Sequence, residues 1–123
     1  MKIISLVSPD RLSIASFLSF MRHHLGKDYV FGELHNLMSE EAIVNYITDL
    51  ITLKETVIFS YYAKKQINVD PMKVIPSKLL EVSDLLVWID LYTMDWKVIK
   101  DTENVSGSFL TSWSANISRM SVN

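Results

Sequence analysis

The stretch Ser39-Glu40-Glu41-Ala42-Ile43-Val44-Asn45-Tyr46-Ile47-Thr48-Asp49-Leu50-Ile51-Thr52-Leu53, residues 39–53, decides the architecture this sequence predicts. Ser39 can cap a helix, Glu40 and Glu41 fall in its first turn, and Ile43, Ile47, Leu50 and Ile51 (or Val44) line an inner face. The outward positions are then Glu40, Glu41, Asn45, Thr48, Asp49 and Thr52, with no Lys or Arg among them. A helix that enters a phosphate-lined groove gains most of its affinity from positive charge. This helix would lose by going there.

Upstream, Ser8-Pro9-Asp10-Arg11 predicts a helix start. Ser8 can cap, Pro9 suits the first helical position, and Asp10 faces the positive helix end. Leu12, Ala15, Leu18, Met21 or Arg22, and Leu25 recur at helical spacing, and Gly26 sits where a left-handed cap is expected. A first helix over 9–25 follows. Phe31, Leu34, Leu37 and Met38 fit a short second helix, which makes residues 39–53 the third. This layout resembles the tri-helical core of winged-helix domains, in layout alone and with no family signature.

Downstream, Thr56-Val57-Ile58-Phe59-Ser60-Tyr61-Tyr62 is β-branched and aromatic and predicts a strand. A turn and return strand through Ala63–Val69 would complete a wing-like hairpin. Asp70-Pro71 and Ile75-Pro76 mark irregular chain. Leu79–Ile99 supports two patterns. Val87, Ile89 and Leu91, then Met94, Trp96 and Val98, alternate as two strands joined near Thr93–Asp95. Leu79, Val82, Leu86 and Ile89 also keep the spacing of one long helix from Ser77 to Trp96. Alternation favours the strands. Residues 101–108 are polar and predict a linker, and Phe109, Trp113, Ile117 and Met120 make an apolar helical stripe over 109–123.

Composition bounds the function. The chain has 123 residues, 49% of them apolar, and no cysteine. That is one domain, able to bury roughly two-thirds of its extended surface. Without cysteine there are no disulfides, thiol catalysis or Cys-based zinc sites. The formal charge is −2, and residues 1–62 carry five basic groups against seven acidic ones. Neither half has the positive excess of a general polyanion binder. Met1–Val7 is apolar but too short for a signal segment, and the longest apolar run, Leu85–Ile89, is far below a membrane span. A cytoplasmic protein is the expectation.

Several side chains invite chemistry. His23 and His24 end the first helix and His35 lies on the second. Adjacent helical positions point about 100° apart, so the pair presents no chelating face. Histidines near a helix C-terminus more commonly favour the dipole. Asp84, Asp90, Asp95 and Asp101 suggest a carboxylate site, with Asp90 sharing a face with Trp88 and Tyr92, but acids at strand ends are usually solvated. Lys64 and Lys65 occupy the hairpin tip, where a winged helix touches phosphate, though lysines at an exposed turn also discourage edge pairing. No Gly-rich phosphate loop, nucleophile elbow or His-Glu-x-x-His helix is present.

The sequence therefore predicts an α+β fold: three N-terminal helices in a winged-helix-like arrangement over residues 1–100, a small antiparallel sheet, and a C-terminal amphipathic helix. The expected function is non-enzymatic protein binding, as an adaptor, regulator or inhibitor, with no cofactor or metal. Its surfaces are Glu40, Glu41, Asn45 and Asp49 on one side and Phe109, Trp113, Ile117 and Met120 on the other. The partner is another protein chain or a second copy of this one, with nucleic acid and membrane disfavoured. The alternatives are a nucleic-acid binder using Lys64 and Lys65, and a small enzyme using His24 or His35 with a nearby Asp.

Overall fold

The segment Ile3–Val7, apolar but for the buried Ser5, lies in the central strand of the sheet. In the computed structural model, which describes residues 2–25, 28–64, 70–90 and 95–102, Lys2–Ser8 is a strand, β1, with a neighbour on each side. A strand between two others with both faces covered has no reason to alternate apolar with polar residues. Ile3, Ile4, Leu6 and Val7 are accordingly all buried.

The elements then follow as α1 (Arg11–Leu25), β2 (Val30–His35), α2 (Glu40–Leu50), β3 (Thr56–Tyr62), α3 (Pro71–Val74), α4 (Ser77–Val82), β4 (Leu85–Asp90) and β5 (Asp95–Asp101). The strands form one mixed sheet in the order β2-β3-β1-β4-β5. β1 runs parallel to both β3 and β4, with Ile4 opposite Ile58 on one side and Leu85 on the other. β2 is parallel to β3, and β5 closes the far edge antiparallel to β4.

Helices cover both faces. Ile14, Phe17 and Met21 of α1 pack on Ile4, Leu6, Ile58, Val87 and Ile89. On the opposite face Ile43 and Ile47 of α2 and Leu79 of α4 pack on Val7, Leu34, Val57, Phe59, Tyr61, Leu86 and Trp88.

This corrects the winged-helix expectation in three places. The chain begins with a strand rather than a helix. The segment expected to be a second helix is β2, whose Phe31 packs toward α1 while Leu34 packs toward α2. The sheet is five-stranded and mostly parallel, so β3 pairs with β1 and β2 instead of opening a wing.

Other expectations map onto real elements. α2 starts where Ser39 was expected to cap it, and the Ser39 hydroxyl accepts the Ala42 N–H at 3.1 Å. The cap of α1 is Asp10 rather than Ser8. Its carboxylate accepts both the Ser13 N–H and the Ser13 hydroxyl at 2.7 Å, and the Ser8 hydroxyl steadies the turn by donating to the Asp10 carbonyl. Asp70-Pro71 begins α3, with the Asp70 carboxylate accepting the Met72 N–H at 3.0 Å. In the region with two patterns both periods are used, helical in Ser77–Val82 and strand-like in β4 and β5.

One glycine is sterically required. A Cβ on Gly32 would collide with a Leu50 methyl and lie 2.8 Å from the Phe59 ring. The methyl could rotate away, but the ring is wholly buried. Gly32→Ala is therefore expected to cost about 1–3 kcal/mol, the range for overpacking a filled core, read as a lower denaturation midpoint. An unchanged midpoint would show that α2 does not sit against β2.

Candidate functional site

In sheets built from parallel strands, ligand sites gather outside the carboxyl ends, where neighbouring connections leave toward opposite faces. Here that point lies between β1 and β3. The chain leaving β1 becomes α1 on one face, and the chain leaving β3 leads to α3 and α4, with α4 on the other. The gap is occupied by the protein itself. The Ala63 N–H donates to the Ser8 carbonyl at 2.8 Å, and the Arg11 guanidinium lies 5.0 Å from the centre of the Tyr62 ring.

The opening is displaced one step, to the α2 face of β3. A cleft of about 260 Å³ lies between the start of α2 and the α3–α4 segment. Its apolar walls include Met38, Ile43 and Val44 on one bank and Val74, Ile75 and Pro76 on the other, with Tyr61 from β3. Glu40 contributes an acid on the α2 side, and Lys73, Ser77 and Lys78 contribute polar groups opposite. Tyr61 is buried, and that burial raises its hydroxyl pKa above the ordinary value. The phenol therefore stays protonated at neutral pH and offers an O–H donor. Lys78 makes an i,i+3 ion pair with Glu81 at 3.7 Å, and Lys73 has no ion pair among the described residues.

Of the acidic helix residues expected to bind protein, Glu40, Glu41, Asn45 and Asp49 are all exposed on α2. None of the three acids has an ion pair among the described residues. Leu37 and Leu53, beyond the two ends of this helix, are 84% and 61% exposed. Phe109, Trp113, Ile117 and Met120 lie outside the described residues, as does Lys65. Lys64 is exposed just after β3 with a φ of 50°, and the next described element is α3.

Among the described residues no His–Asp ion pair or hydrogen bond joins the histidines to the aspartates. His23 and His35 are exposed, and the His35 Nδ1 accepts the Leu37 N–H at 3.2 Å. The side chain of His24 lies outside the description. Asp84 has a structural task at the opposite end of the sheet. Its carboxylate accepts the Ile3 N–H at 2.8 Å, its own N–H donates to the Ile3 carbonyl, and its carbonyl accepts the Thr102 N–H. Asp90 is buried at the end of β4, Asp101 closes β5, and the Asp95 side chain lies outside the description. No group of three or more His, Asp or Glu side chains with metal-holding geometry occurs among the described residues. Among the described residues the buried Ser60 hydroxyl has no hydrogen-bond partner, but strand alternation turns it toward α1, away from the cleft.

Sequence inspection missed Tyr61, Lys73 and Lys78. Tyr61 reads as one strand residue among several, and the two lysines flank Ile75-Pro76 with no periodicity to mark them. Only the tertiary approach of α2 to α3 and α4 makes them neighbours.

Fold and cleft together define a three-layer protein, a mostly parallel sheet between helices, with the exposed acids Glu40, Glu41 and Asp49 on α2. Comparison with protein-family models, curated proteins and solved structures returned no match. Among the described residues no helix is long and apolar enough to cross a membrane.

Proposed function

We propose that this chain is a non-enzymatic protein-binding module that engages its partner through the outward face of α2. The observation that carries this reading is the arrangement on that helix. Glu40, Glu41 and Asp49 are exposed with no ion pair among the described residues, and an exposed leucine stands beyond each end of the helix. An acidic stripe between apolar contacts suits a basic surface with apolar flanks. Electrostatic complementarity of that kind sets the encounter rate and excludes wrong partners, and apolar side chains at the patch supply burial.

The double substitution Glu41→Lys, Asp49→Lys tests the reading. Both positions are exposed, so the fold is expected to persist. Recovery of the bound protein by the tagged full-length chain should fall about tenfold, the equivalent of ~1.4 kcal/mol. Lys97→Glu on β5 should leave it unchanged. Equal recovery by wild type and the double variant would contradict the proposal, and so would recovery that disappears on nuclease treatment.

A further inference from the structure

We propose that the cleft between α2 and the α3–α4 segment binds a small organic carboxylate with an apolar body, held by Lys73 and Lys78 over a floor that includes Tyr61. The site borders the protein-binding face of α2 at Glu40 but does not include Glu41 or Asp49, and its occupant is a small molecule rather than a protein.

Position is the first argument. The cleft opens at the carboxyl end of a parallel strand, on the side of the sheet where sheets of this kind take ligands. At about 260 Å³ it falls just below the range of drug-sized sites, roughly 300–1,000 Å³. That suits a single ring or a short aliphatic chain better than a nucleotide.

Charge is the second. The residues lining the cleft include two lysines, Lys73 and Lys78, and one carboxylate, Glu40. Glu40 also sits in the first turn of α2, where the positive end of the helix already offsets part of its charge. Among the described residues Lys78 has an ion pair with the exposed Glu81 alone, a weak attachment at a solvated surface. Lys73 makes no ion pair among the described residues. A ligand carboxylate would give both lysines a counter-charge.

Chemistry of the walls is the third. Ile43, Val44 and Val74 present hydrocarbon, and the protonated Tyr61 hydroxyl can donate to an anionic oxygen. An amine of the same shape would meet two lysines and a single lining carboxylate, Glu40, whose charge the helix N-terminus already offsets in part.

The experiment is an amide-resolved NMR titration of the full chain with 3-phenylpropionate, with 3-phenylpropan-1-amine and 3-phenylpropan-1-ol as matched probes. The expected result is saturable shifts at Val44, Tyr61 and Val74, with the carboxylate bound about tenfold more tightly than the amine. Lys73→Glu should abolish that preference. Val44→Trp should fill the cleft and remove binding of all three probes, while the dispersion of the remaining amides shows the fold retained. No saturation with the carboxylate, equal affinity for the amine, shifts mapping elsewhere, or a preference that survives Lys73→Glu would each overturn the proposal. Glu41 and Asp49 do not line the cleft. Their double substitution should leave probe binding intact, so failure here is distinguishable from failure of the protein-binding reading.

Discussion

Removal of Lys2–Ser8 is expected to leave a chain with no cooperative unfolding transition. β1 is hydrogen-bonded on both sides, to β3 from Lys2 to Ser8 and to β4 from Ile4 to Val7. Its loss would break the sheet into β2-β3 and β4-β5 fragments. It would also strip apolar side chains from both cores, Ile3 and Val7 from the α2 side and Ile4 and Leu6 from the α1 side. Full burial of each such side chain contributes about 1.5–3 kcal/mol. Four of them together match the whole stability of a typical domain, about 5–15 kcal/mol. A denaturant melt followed by circular dichroism checks this. A sigmoidal transition in the truncated chain would mean that the remaining helices carry a core of their own.

The second large effect is expected at Phe59. Its ring is wholly buried at the centre of the α2-side core and limits how closely β2 can approach at Gly32. Phe59→Ala removes the ring and leaves a cavity that the flanking strands cannot close, at a cost of about 3–5 kcal/mol. Equilibrium denaturation should therefore show a much lower midpoint or no folded baseline. A loss below about 1 kcal/mol would place Phe59 outside a filled core.

Which elements were legible follows from what each must bury. α1 and α2 each rest one face on the sheet and leave the other in water, so each was legible as a helix. In α2 the cap and inner face were as expected. In α1 the expected Leu12 and Ala15 are exposed, Ile14 and Phe17 are buried with Met21, and the cap is Asp10. β3 carries the β-branched and aromatic run of a central strand and is equally plain. β1 was opaque for the opposite reason. Buried on both faces, Ile3–Val7 shows no alternation, and a short apolar stretch interrupted only by Ser5 resembles a leader fragment as much as a strand.

β2 misled more actively. It is an edge strand with Glu33 and His35 exposed, and Phe31, Leu34 and Met38 fall at three- and four-residue intervals that imitate a helix. Without β1 and β2 as strands, β3 has no parallel neighbour and a wing is its natural completion. The acidic face of α2 was visible because it is local to one helix. The cleft was not, because Tyr61, Lys73 and Lys78 become neighbours of Glu40 only when the segment after β3 crosses the sheet.

The central place of β1 underlies both the sheet order and the position of the cleft, and amide hydrogen exchange resolved by residue tests it most directly. The backbone N–H groups of Ile4 to Val7 should be among the slowest in the chain, exchanging only through global opening, together with those of Val57–Tyr61. Exchange of Ile4–Val7 at the rate of an unstructured peptide, with β3 still protected, would contradict the account.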